Sequence, residues 1–283
     1  MSGLTTGRRG FEFLKNLYER KYFHEICIIL LECLGIYLIC PFIRDKVKYF
    51  LMSIKENIER VRENVERACL KSGRKPESVK ILGATKDVPA SKIREAFSYG
   101  LRIFGENRVQ EAISKISELK DLDIEWHMIG NLQRNKVKKA LDIFHLIESV
   151  SSLKLAEEIN KEAGKRNIIV KGFVEVNIGR EASKSGFLEE ELMQSLDKLS
   201  TLPNLEIFGL MTIPPYSPNP EDSRKYFVKL RELADKVNSL KTRIFIKELS
   251  MGMSSDYTVA VEEGATIVRI GTAIFGERVK CSK

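Results

Sequence analysis

From Met52 onward the chain alternates short apolar runs with helical patterns about eight times, and this alternation constrains the fold more than any other feature. The apolar runs are Val79–Ala84, Ile103–Phe104, Trp126–Ile129, Phe144–Val150, Ile168–Val176, Leu205–Met211, Phe245–Leu249 and Thr266–Ile270. Between them helical spacing covers 90–99, 107–119, 133–141, 152–165, 188–200, 221–240 and 256–263. A leading amphipathic helix over 52–71 gathers Ile54, Ile58, Val61, Val65, Ala68 and Cys69 on one face and ends at Ser72-Gly73. Strands separated by helices pair in parallel through right-handed crossovers. Eight such units closing on themselves make a (β/α)8 TIM barrel, and the stretch after residue 51 is close to the roughly 250 residues typical of that fold. An open doubly wound sheet is the alternative. It usually carries Gly-x-Gly-x-x-Gly after its first strand, whereas this chain reads Gly83-Ala84-Thr85-Lys86-Asp87 there and has no Walker motif. Dinucleotide and nucleotide-triphosphate chemistry are therefore disfavoured.

Composition removes further classes. With 30% charged and 43% hydrophobic residues among 283, the chain is neither disordered nor of low complexity. Five Cys without a Cys-x-x-Cys pair exclude a disulfide scaffold and a zinc ribbon. His24, His127 and His145 lie far apart, so a metal site built on clustered His is not expected. The net charge of +8 comes from Lys and Arg interspersed with acids. The short cluster Arg134-Asn135-Lys136-Val137-Lys138-Lys139 reads as a solvated helix face, and no nucleic-acid partner is expected.

Residues 1–51 are a different kind of sequence. Ile26 to Ile43 is apolar apart from Glu32, with Arg20 and Lys21 before it and Arg44, Lys46 and Lys48 after it. A membrane-spanning helix needs about 20 apolar residues. A central Glu would cost about 2–3 kcal/mol, and Pro41 would kink the end. No small-x-small site follows for signal cleavage. Three readings compete: a membrane anchor, a helical segment docked on the body, or sequence outside the working protein, with translation starting at Met52. The expected organisation is a hydrophobic N-terminal extension over 1–51 and a single barrel domain over 52–283.

In barrels of this kind, chemistry sits at the C-terminal ends of the strands. Lys86 follows the first strand, where an amine facing the mouth can form a Schiff base with a carbonyl. Glu106-Asn107 follow the second, and Asn107 suits a helix cap or a pocket wall equally. His127 lies on the third strand, opposite in parity to Trp126 and Met128. The last two strand ends read Ser250-Met251-Gly252-Met253-Ser254-Ser255-Asp256 and Arg269-Ile270-Gly271-Thr272. Loops after strands seven and eight commonly hold a phosphate. Ser254, Ser255, Gly271 and Thr272 offer the hydroxyls and close backbone N–H groups for one, with Arg269 just below. A lysine at one strand end and a phosphate cradle at two others suit a ligand with a carbonyl and a phosphate. Pyridoxal 5′-phosphate and a Schiff-base sugar-phosphate aldolase substrate both meet that description.

The blocks Gly105-Glu106-Asn107…Gln110-Glu111, Trp126-His127…Ile129-Gly130…Leu132-Gln133…Asn135-Lys136, Gly209-Leu210-Met211, Leu249-Ser250-Met251-Gly252-Met253-Ser254 and Arg269-Ile270-Gly271-Thr272 closely resemble the pyridoxal-phosphate homeostasis protein family. The resemblance spans about 52–280 and leaves residues 1–51 outside. It implies a barrel of the alanine racemase N-terminal-domain type with pyridoxal 5′-phosphate held as an aldimine on Lys86. It further implies phosphate held by Ser254, Ser255, Gly271 and Thr272, Arg269 on the pyridine nitrogen, and Asn107 and His127 lining the pocket. The lysine block here is Ala84-Thr85-Lys86-Asp87, where the family more often has Ser before the lysine and Thr after it. An Arg at the ring nitrogen weakens carbanion chemistry, so the implied role is a cytoplasmic, monomeric cofactor carrier in vitamin B6 homeostasis. It would release its cofactor to apo-enzymes, with a narrow-specificity amino-acid racemase as the alternative. Membrane contact is expected only if 26–43 is an anchor.

Overall fold

The computed structural model describes residues 53–240 and 242–277. Eight parallel strands close into a barrel in sequence order. They are β1 (Lys80–Ala84), β2 (Ile103–Glu106), β3 (Glu125–Met128), β4 (Leu146–Val150), β5 (Val170–Glu175), β6 (Leu205–Met211), β7 (Glu248–Met253) and β8 (Ile267–Ile270). Helices α1 (Ile54–Lys71), α2 (Ala90–Ser98), α3 (Val109–Glu118), α4 (Val137–Ala140), α5 (Leu153–Gly164), α6 (Glu189–Ser200), α7 (Arg224–Ser239), α8 (Tyr257–Glu262) and α9 (Thr272–Phe275) surround it. The Ile26–Ile43 run, and with it the choice among anchor, docked segment and late start, lies outside the described residues. Among those residues no helix is long and apolar enough to cross a membrane.

The chain begins its barrel with a strong local signal. Ser53 and Glu56 form a capping box: the Glu56 N–H donates to Ser53 Oγ at 3.2 Å, and the Ser53 N–H donates to Glu56 Oε2 at 2.8 Å. The apolar face of α1 is buried, and the helix packs against α8, α9 and α2. The four-residue α9 is too short to cover β8 and β1, so α1 fills that position in the outer ring. The Asn57 amide fastens the two together by donating to the Ile274 carbonyl at 3.0 Å.

Most apolar runs coincide with strands, and the departures have physical reasons. Ile168 and Ile169 are exposed, and β5 starts only at Val170. The 133–141 segment is a 3-10 turn over Arg134–Lys136 followed by the single turn of α4. Val137 and Ala140 are buried, while Arg134, Lys138 and Lys139 face solvent, as a solvated helix face requires. The seventh strand lies later than its apolar run. It continues through Ser250, Met251, Gly252 and Met253, which read as loop because Ser and Gly interrupt the hydrophobic pattern. Against β8 its register slips between Ser250↔Ile267 and Met253↔Arg269, a bulge at the barrel rim. Gly252 makes the bulge possible, with φ at +91°, and a Cβ there would sit 2.5 Å from that of Ala260.

Inside the barrel Leu82, Ile129, Leu146, Phe173, Met211 and Ile267 form an apolar plug. The larger apolar layer lies between strands and helices. The interior is thus packed rather than open, and only the strand ends remain available for a ligand.

Candidate functional site

Because β8 pairs with β1, the two ends of the barrel sequence meet at one place on the rim. The order β7, β8, β1, β2 places Ser254 and Ser255, then Arg269, Gly271 and Thr272, then Lys86, then Asn107 on four adjacent strand ends. On the β7–β8 side, the Gly271 and Ala273 N–H groups both donate to Ser254 Oγ at 3.2 Å. Two backbone N–H groups and a hydroxyl therefore meet at one point of the rim, with the N–H groups donating to the hydroxyl oxygen. The turn that presents Ser254 is closed by the Met253 N–H donating to Asp256 Oδ1 at 2.7 Å. Ser255 and Thr272 are exposed beside it.

On the β1–β2 side, Lys86 opens onto a cleft of about 480 Å³ whose walls include Asn107, Arg108, Met128, Gly130 and Lys136. Gly130 is required by the close passage of two loops. A Cβ there would lie 2.4 Å from the Asn107 carbonyl oxygen. The loop carrying Lys86 is anchored on both sides of it. The Thr85 hydroxyl donates to Glu106 Oε1, and Lys115 Nζ donates to the Thr85 carbonyl at 2.6 Å. The Asp87 N–H donates to Glu111 Oε1 at 2.7 Å.

Below the mouth a chain of polar side chains crosses the barrel. Glu125 Oε1 lies 3.0 Å from His127 Nε2, and His127 Nδ1 lies 2.6 Å from Glu148 Oε1. The other Glu148 oxygen accepts from Ser250 Oγ, which in turn accepts from Arg269 Nη1 at 2.6 Å. Arg269 Nη2 donates to the Thr212 carbonyl at 2.7 Å. Burial alone would push the His127 imidazole down, but its bonds to Glu125 and Glu148 outweigh burial and raise it to about 9. Burial opposes ionisation of Glu148 as well, yet His127 and Arg269 hold its carboxyl below the usual range. The interior therefore carries an imidazolium, a carboxylate and a guanidinium in sequence. Burial lowers Arg269, against the pull of Glu148, Asp256 and Glu175, but a guanidinium stays charged. Glu175 faces the same guanidinium from β5. Burial pushes it up to about 7, and its Oε2 has no hydrogen-bond partner among the described residues.

The model of the alanine racemase N-terminal domain matches residues 51–279. The pyridoxal phosphate homeostasis protein of Aquifex aeolicus is 50% identical over 80% of this chain and 99% of its own length. That of Pseudomonas aeruginosa is 40% identical over 81% and 97%. The chain belongs to the pyridoxal phosphate homeostasis protein family. Among solved structures, PipY of Synechococcus elongatus with PLP bound is 38% identical, with a TM-score of 0.71 over 79% of this chain and all of that one.

The family's motif residues fall in two places here. Ser254, Ser255, Arg269, Gly271, Thr272 and Lys86 share one arc of the rim, with Asn107 at its end. His127 does not stand in that arc. The residue is 1% exposed inside the barrel, with both ring nitrogens committed to carboxylates, so it reaches the rim only through Glu148, Ser250 and Arg269. Glu148, Glu175, Thr212 and Lys115 were not singled out by sequence reasoning. A signal existed for the first two, since each is an acid in a largely buried strand, at the parity that faces inward. Lys115 gave none, because Glu111 and Lys115 at i,i+4 look like any exposed helix pair.

Proposed function

We propose that this chain binds pyridoxal 5′-phosphate at the rim of the barrel and serves as a carrier in its homeostasis, releasing it to apo-enzymes. The residues present suit the group: an amine on one strand end, convergent N–H donors and hydroxyls on two others, and a buried guanidinium between them. Lys86 would hold the aldehyde end covalently. Ser254, Ser255, Gly271 and Thr272 would hold the phosphate, Arg269 would meet the ring nitrogen, and Asn107 would border the cleft. Bound there, the cofactor supplies a reactive carbonyl and a ring able to withdraw electrons.

The observation that carries the carrier reading over the racemase is the setting of Arg269. Ser250 and Thr212 fix its guanidinium, and Glu148 lies behind it. A guanidinium keeps its proton and would donate to an unprotonated ring nitrogen, which weakens the ring as an electron sink and so disfavours removal of an α-hydrogen. The relatives named for pyridoxal phosphate homeostasis, and PipY with PLP bound, support the same reading. We place the role in the cytoplasm, with which the free buried thiol of Cys69 is compatible. We take the working unit to be a monomeric barrel beginning at Met52, whose first helix starts on the Ser53 capping box.

The test has two arms on the loaded protein. Incubation with L-amino acids in deuterium oxide should give no α-deuterium beyond that of free cofactor, while mixing with an apo pyridoxal-phosphate enzyme should restore that enzyme's activity. Stereospecific exchange and racemised product would replace the carrier with the racemase. Failure to load the apo-enzyme would remove the delivery role.

A further inference from the structure

Lys86 sits between two residues whose backbones are both tied to α3. The Thr85 carbonyl accepts from Lys115 Nζ at 2.6 Å, and the Asp87 N–H donates to Glu111 Oε1 at 2.7 Å. Lys115 Nζ also donates to Glu111 Oε1 at 2.6 Å and to Glu106 Oε1 at 2.7 Å. Three acceptors occupy the three donors of an ammonium, on a side chain only 10% exposed. Asp87 has φ at +59°, a left-handed conformation that a non-glycine residue keeps when its surroundings hold it there. The Glu111 bond falls on that residue.

A buried ion cluster is a poor device for stability alone, since well-packed apolar residues often do as well. Its geometry has a more specific consequence. Before Lys86 the Thr85 carbonyl accepts from Lys115 as well as from the Val88 N–H, and the Thr85 N–H donates to the Gly105 carbonyl; after Lys86 the Asp87 N–H is held by Glu111, which Lys115 in turn holds. We propose that Lys115 and Glu111 are positioning residues that hold the Thr85–Asp87 turn in one conformation, so that the Lys86 amine is presented to the cleft in a single place. The proposal rests on Lys86 being the attachment residue. Its effect is on rate: a fixed amine meets an incoming carbonyl in productive geometry more often than one on a loose loop.

Glu111 provides the cleaner test, because it is partly exposed and Lys115→Met risks the fold. In Glu111→Ala the Asp87 amide loses its acceptor. In Glu111→Gln an acceptor oxygen remains for both Asp87 and Lys115. The first readout needs no cofactor: hydrogen exchange of the Asp87 amide should be about tenfold faster in Glu111→Ala and near wild type in Glu111→Gln. The second is the rate of uptake of pyridoxal 5′-phosphate at Lys86, followed by absorbance and fixed by borohydride. It should fall about tenfold in Glu111→Ala and recover in Glu111→Gln. Unchanged exchange in Glu111→Ala overturns the proposal. So does fast exchange with a wild-type uptake rate, or equal loss in both variants. A wild-type protein that takes up no pyridoxal phosphate overturns the reading beneath it, and the proposal falls with that reading.

Discussion

His127 gives the sharpest quantitative expectation. Its ring is buried between Glu125 and Glu148, and their bonds raise it from 6.5 to about 9 in the folded chain. A difference of that size corresponds to about 3 kcal/mol of folding free energy. The sign follows from linkage. The folded state binds the proton more tightly than the unfolded one, so the contribution is complete below about pH 6.5 and is lost as pH rises through about 9. Both neighbouring carboxyls are held below their usual range, so they stay ionised throughout and the imidazole alone changes charge in this cluster. The perturbation is His127→Gln, which keeps an amide for hydrogen bonding but carries no proton to lose. At pH 6 the variant should be less stable by about 3 kcal/mol plus any packing loss, and by pH 10 only the packing loss should remain. Urea unfolding followed by fluorescence of Trp126, the chain's one Trp and a buried neighbour on β3, measures both curves. If wild type and variant fall in parallel between pH 6.5 and 9, the ring is neutral in the fold and the charged chain from Glu125 to Arg269 is wrong.

Three further outcomes follow from the same structure. Glu175 is pushed up to about 7, so the folded state favours its neutral form and the associated stability is lost as pH rises through 7. Glu175→Gln escapes that loss and should gain up to about 3 kcal/mol over wild type at pH 8, and nothing below pH 4.5; curves that coincide at both ends refute the burial argument. Gly130→Ala drives a Cβ to 2.4 Å from a backbone oxygen, which cannot swing aside, and should cost about 1–3 kcal/mol in thermal or urea unfolding; an unchanged midpoint would mean the two loops do not touch. Lys86→Ala should keep the wild-type melting temperature and lose every borohydride-fixed cofactor adduct at the rim.

The fold was legible where hydrophobicity and secondary structure coincide. Runs such as Leu205–Met211 match their strand residue for residue, because a parallel strand buried over most of its length keeps a mainly apolar stretch, interrupted here only by the exposed Glu206 and by Gly209. Legibility failed at β7, where Ser250 and Gly252 look like loop. Ser250 in fact points inward to bridge Glu148 and Arg269, and Gly252 forms the bulge that turns Ser254 toward Gly271. The short α9 was also missed, since its four residues are too few to show a helical period. The strand-end rule nominated Lys86, Arg269 and the Ser254–Thr272 group. It could not say who stands behind them. The bond from Ser250 on β7 to Glu148 on β4 spans the barrel, and such pairs depend on the shear of the closed sheet, which no local pattern records. His127 illustrates the limit: strand parity set it opposite to Trp126 and Met128, but only the closed barrel shows it turned inward and meeting two carboxylates.

The central claim, that the rim holds pyridoxal 5′-phosphate on Lys86, is tested most directly by reduction and mapping. The purified protein is mixed with pyridoxal 5′-phosphate, its visible absorbance recorded, and the sample treated with borohydride, digested and sequenced by mass. The account predicts a yellow protein that loses its colour on reduction and carries one phosphopyridoxyl group, on the peptide containing Lys86. A protein that stays colourless, or a label spread over surface lysines or placed on Lys136 across the cleft, would contradict it.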